Sequence, residues 1–272
     1  MKHLAQAAEQ QGQRIEKIHC ASDPDSLDGV IFLDQKRAII DATAPHVVEP
    51  DAPGADELVV SLYHTIDAGK LAPHRDEVKA LFARNAALRG RAARYIASAG
   101  SLMLDSRRAE ACSANFEKVR RYVKRLCTRL LPRTEGTASE ELRLLSAITP
   151  KGMVFYRGTV EALADRYVVF RDDYGAVSRL LLELIRAEAL ARGYHIITCP
   201  CAMHPEDKID HLFIPASGWL SSPTTAGIPS SCPVCRPSGA PASWTERIWR
   251  ATAPVSASTS GPPPSFLSRL PT

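Results

Sequence analysis

Long apolar runs are missing from this chain of 272 residues. No stretch is apolar over the roughly 20 residues that a membrane helix needs, and the first residues form no secretory hydrophobic segment, so neither a spanning helix nor an export signal is expected. Cysteine is sparse and odd in number, with seven at positions 20, 112, 127, 199, 201, 232 and 235. This disfavours a fully paired secreted disulfide scaffold and suits a reducing cytosol, so a cytoplasmic protein is expected. Charge of one sign is also scarce: 34 basic and 30 acidic residues leave +4, which gives little support to a nucleic-acid partner. The 45% of hydrophobic residues suffices over this length for one large or two modest globular domains.

Residues 1 to 11 carry Leu4, Ala7 and Ala8 at helical spacing up to Gly12, with no visible N-cap or preceding strand. A short extended segment follows, then the polar "HCASDPDSLDG". Val30 to Leu33 and Ala38 to Ile40 are brief strand-prone runs, the second ending at Asp41. From Asp56 to about Leu130, beginning with "DELVVSLYHTI", the pattern predicts mostly helix. Val78, Leu81, Leu88, Ala92 and Ile96 mark one apolar face, and Phe116, Val119, Val123 and Leu126 a cleaner one. Arg107, Arg108, Lys118, Arg120, Arg121, Lys124, Arg125 and Arg129 would suit a phosphate-facing surface, but no base-reading motif accompanies them and a solvated helix face is the simpler reading. "TASEE" signals a helix start and Thr149-Pro150-Lys151-Gly152 a turn. Tyr167 to Phe170, a loop, a long helix to Ala191, Gly193 and a strand from His195 to Thr198 then make a βαβ-like unit.

The start of the chain is repeated 181 positions later. Leu4 falls on Ile185, Ala8 on Ala189, Gly12 on Gly193, Ile15 on Ile196, Cys20 on Cys201, Ala21 on Ala202 and Pro24 on Pro205. Helix, glycine, strand and Cys-Ala-x-x-Pro recur in one order, which points to duplication. In the second copy a strand and loop precede the helix, so in the first the matching strand and loop are expected upstream of Met1.

The blocks "HCASDPDSLDGV", "IIDATAPHVVEPDAPGA", "ITPKG" and "RYVVF…YGAVS…ARGY…C…P" together resemble a bacterial family of tandem P-loop ATPase-like proteins, over roughly residues 1 to 215. The resemblance implies an α/β fold: incomplete tandem P-loop NTPase-like parallel-sheet domains with an intervening helical region. On that basis residues 1–135 form a partial first domain with a helical insertion, 136–155 a bridge, 156–217 a partial, degenerate second domain and 218–272 a disordered tail. It also implies ATP or GTP as ligand, with magnesium, and hydrolysis as the activity of an intact relative. In the second copy the phosphate loop should be Arg171 to Arg179, where only Gly175 and Ser178 fit and Val177 stands at the lysine position. Asp172 and Asp173 add repulsion to any phosphate there. Hydrolysis by this chain is therefore not expected, and a noncatalytic binding or regulatory scaffold holding a protein partner is the alternative.

Asp41, at a strand end, is the candidate to position a magnesium-bound water by resemblance, or a local polar cap over "ATAP". Asp25 and Asp28 are candidate ligand or metal contacts, although Asp23-Pro24 and Asp28-Gly29 are also good turn sequences. His46 is a candidate polar ligand, while His19 and Cys20 read more simply as packing at a strand boundary. Cys199, Cys201, Cys232 and Cys235 are enough thiolates for zinc, but the tight first pair and its distance in sequence from the second favour free or packed thiols. The alternative to a disordered tail for the Pro- and Ser-rich end is a linker that Trp244 and Trp249 would anchor to a partner.

Overall fold

The computed structural model describes residues 1–44, 46–112, 114–170 and 175–223. The fold is mixed α/β: among the described residues one five-stranded sheet combines parallel and antiparallel pairs, and the two smaller sheets are antiparallel rather than parallel as expected. Contacts divide the chain into two units: residues 1–102, 144–157 and 201–206 in the first, and 103–143, 158–200 and 207 onward in the second.

In the first unit, α1 (Lys2–Gln10) leads into a meander of β1 (Ile15–His19), β2 (Leu27–Phe32) and β3 (Arg37–Ile40). The segment "DELVVSLYHTI" is not α-helical: Leu58 is 84% exposed, only Tyr63–Thr65 makes a 3-10 turn, and α-helix begins at α2 (Ala68–Leu71). In α3 (Arg75–Ala111) the expected apolar face is not buried, since Leu81 and Leu88 are exposed. Periodicity records an apolar face but does not supply the surface that covers it.

The second unit is built on the end of α3 from Met103, α4 (Phe116–Leu130), β4 (Ser139–Leu142), α5 (Arg157–Leu163, all but its first residue), β7 (Arg166–Phe170), α6 (Ala176–Ala191), β8 (His195–Pro200), β9 (Ile209–Ile214) and β10 (Trp219–Pro223). Between β4 and α5, the hairpin β5 (Ser146–Thr149) and β6 (Gly152–Phe155) groups with the first unit, its predicted turn in place. The five-stranded sheet has the order β4-β8-β9-β10-β7. β7 and β8 run parallel, joined through α6, with β9 and β10 between them. Val119, Val123 and Leu126 of α4 are buried as the second stripe predicts, in a core with Leu181, Leu182 and Ile185 of α6 and Leu212 and Ile214 of β9, whereas Phe116, expected with them, is exposed.

Two expectations are corrected here. "TASEE" begins no helix: Ser139–Leu142 is strand β4, parallel to β8. The preceding segment is stitched to the end of α6, with Thr134 N–H donating to Arg192 O at 2.9 Å and Tyr194 Oη to Pro132 O at 2.8 Å. These tertiary bonds outweigh a local capping preference. The tail expected from 218 begins instead with β10, whose Leu220, Ser221 and Ser222 are buried between β9 and β7.

The repeat is present in three dimensions as matching local architecture. α1 and α6 both end with a glycine at positive φ, Gly12 at 69° and Gly193 at 85°. Gly12 N–H donates to Glu9 O and Gln13 N–H to Ala8 O; Gly193 N–H donates to Leu190 O and Tyr194 N–H to Ala189 O, the same Schellman closure residue for residue. The following strands pair antiparallel with the next strand and carry an irregularity at the same place, Ile18/His19 and Cys199/Pro200. After a connection one residue longer in the second copy, the match resumes: β2 and β9 are both six-residue strands. Each is followed by a turn with a left-handed residue, Lys36 or Gly218. Pairing of Phe32 with Arg37 then corresponds to that of Ile214 with Trp219.

Candidate functional site

The polar segment after β1 is closed on itself. The His19 imidazole Nδ1 lies 2.9 Å from Pro24 O, Cys20 N–H donates to Ser26 O and Ser26 N–H to Asp23 O. The His19 ring also packs against Tyr156, with centroids 4.5 Å apart. Asp25 pairs with Lys151, whose ammonium donates to the carboxylate and holds its pKa below the ordinary carboxylate value. Asp28 and His46 are brought together, Oδ2 to Nε2 at 3.8 Å. Asp41 is exposed and accepts from Thr43 N–H at 2.9 Å and Thr43 Oγ1 at 2.7 Å, which lowers its pKa. This is the geometry of a local cap.

In the second unit the expected phosphate loop falls between β7 and α6. Arg171 to Tyr174, including Asp172 and Asp173, lie outside the described residues, as do Cys232, Cys235, Trp244 and Trp249. Gly175 opens α6 at φ 80° with no side-chain cap, and Ser178 and Val177 are buried in the first turn. A helix start at the carboxyl end of a parallel strand offers converging N–H groups and a positive dipole end.

Two cations meet there that sequence reading did not single out as a pair. A Cβ built on Gly175 would stand 3.2 Å from Lys208 Nζ and 3.8 Å from Arg107 Nε. Arg107 is 3% exposed, and its three guanidinium nitrogens have no hydrogen-bond partner among the described residues. Lys208 is also buried and pairs with Asp210 at 2.7 Å. Among the described residues the buried Asp210 carboxylate thus pairs with Lys208, and no carboxylate pairs with the buried Arg107. An uncompensated buried charge is costly enough that such groups are normally paired. The sequence signal was partial: continued past the longer connection, the repeat puts Asp210 on Asp28 and Lys208 on Ser26, whereas Arg107 reads only as one helix cation among several.

Cys199 and Cys201 are both buried, and neither forms a disulfide with a described residue. Among the described residues no group of three His, Cys, Asp or Glu side chains is placed to hold a metal ion. None of their helices is long and apolar enough to cross a membrane.

The class defined by these observations is a mixed α/β protein with a crossover helix opening beside two buried cations. No family model, no curated protein and no solved structure matches the chain.

Proposed function

We propose that this chain is a nucleotide-binding protein related to P-loop ATPases, and that it holds ATP or GTP without turning it over efficiently. The observation that carries the reading is the order β7, Gly175, α6, with β10 parallel beside β7. This arrangement supports a ligand site outside the carboxyl ends of the strands. The part of a hydrolytic site that positions magnesium is poorly supported. The residue in register with Asp41 is Pro223, opposite Phe170 at the end of β7, and proline supplies no carboxylate. Val177, buried in α6, supplies no charge at the lysine position. Ser178 is the residue of that turn whose hydroxyl suits a magnesium ligand.

The test is thermal stabilisation of the full chain by ATP and GTP, with and without magnesium, beside a phosphate-release assay. Stabilisation with negligible release is the expected outcome; no shift with either nucleotide would remove the reading. A second reading, the scaffold, draws on the exposed Lys118, Arg120, Arg121, Lys124, Arg125 and Arg129 of α4, a cationic face suited to an acidic protein partner. A partner complex insensitive to nucleotide would favour it.

A further inference from the structure

We infer that Arg107 and Lys208, approaching the start of α6 from α3 and from the residue before β9, form an anion site that takes one phosphate group of its ligand without a bridging metal ion. The inference rests on the reading above for the place of the site, and adds the groups that bind and the chemistry they accept.

Three observations converge on it. Gly175, lacking a side chain, lets both cations approach the start of α6: a Cβ there would stand 3.2 Å from Lys208 Nζ and 3.8 Å from Arg107 Nε. Arg107 is buried with all three guanidinium nitrogens unpartnered among the described residues, a donor fork suited to the oxygens of a phosphate. α6 runs for 16 residues from that point and directs its dipole at the same space. Among the described residues, Arg107 and Lys208 against Asp210 leave a net positive charge, which attracts an anion. Two cations from outside the loop thereby take over the charge-neutralising task left open by Val177.

The experiment is calorimetric titration of the full chain with inorganic pyrophosphate and with ATP, each in EDTA and in magnesium, on wild type, Arg107→Met and the double variant Lys208→Gln/Asp210→Asn. Both ligands should bind wild type in EDTA, and Arg107→Met should weaken each by ~10–100-fold, the value of hydrogen bonds to a charged group. The double variant should weaken binding in the same direction. Ligand-free Arg107→Met should melt no lower than wild type, because it removes a buried charge whose nitrogens have no hydrogen-bond partner among the described residues. ATP binding that survives in Arg107→Met would overturn the anion site and leave the nucleotide reading standing. Pyrophosphate binding lost in Arg107→Met, with ATP bound no tighter than pyrophosphate, would keep the site and remove the nucleotide. Absence of pyrophosphate binding to wild type, or ligand-free unfolding of Arg107→Met, would overturn the inference.

Discussion

Glu140 joins three elements of the second unit: its Oε1 accepts from Arg186 Nε on α6 and from Thr198 Oγ1 on β8, each at 2.6 Å, while the second Arg186 amine reaches Oε2. The Arg186 bonds, helped by Thr198, outweigh burial and hold its pKa below the usual 4.5. A carboxylate with a depressed folded-state pKa adds stability above its unfolded value, and that share is lost as pH falls through the folded value. Glu140→Gln should therefore cost about 1 kcal/mol at neutral pH, since the pair is partly solvent-screened. The gap from wild type should close below pH 4.5. Urea melts at neutral and acid pH read both halves of this expectation. Cys127 shows the opposite case, a thiol pushed up to about 11 chiefly by burial, and so it stays protonated and unreactive in the core.

The paired helix ends permit a comparison at the scale of the element. Gly12 and Gly193 have the same left-handed backbone and the same hydrogen bonds, but different surroundings. A Cβ on Gly12 would meet nothing within 4 Å, whereas one on Gly193 would stand 2.6 Å from Gly136 O and 2.9 Å from Thr134 Oγ1. Gly12→Ala should cost about 1–2 kcal/mol from backbone strain alone, and Gly193→Ala a further 1–3 kcal/mol from the forced displacement of the 134–136 segment. Denaturant unfolding of the two variants separates these terms. Equal losses would mean that the segment moves aside freely.

Across the molecule, burial is uneven. The main buried apolar cluster belongs entirely to the second unit, whereas all four residues of β3 in the first are exposed. Phe213 is fully buried on β9, the central strand of the five-stranded sheet. Phe213→Ala should cost about 3–5 kcal/mol, the usual loss for deleting a core aromatic. Amide exchange should be slowest in α6, β8 and β9 and markedly faster in β1 to β3, because local opening follows the apolar area that it exposes. Uniform protection over both sheets would contradict that distribution.

What the sequence determined by itself is local. The helix, glycine and strand of each repeat, the buried stripe of α4, and the run β7, α6, β8 were all legible because periodicity and a left-handed glycine belong to contiguous residues. The continuation of the repeat through β9 and β10 was hidden by one inserted residue and by the substitution of nearly every side chain, and only matching strand registers recover it. Tertiary structure alone decided that Ser139–Leu142 is a strand, because its partner β8 lies more than fifty residues away and local capping preference says nothing of it. It also decided that Arg107, unlike its exposed neighbour Arg108, is buried beside Gly175 and Lys208. The cost of burying that cation with no hydrogen-bond partner among the described residues arises from strand order and packing, which no local pattern of residues encodes.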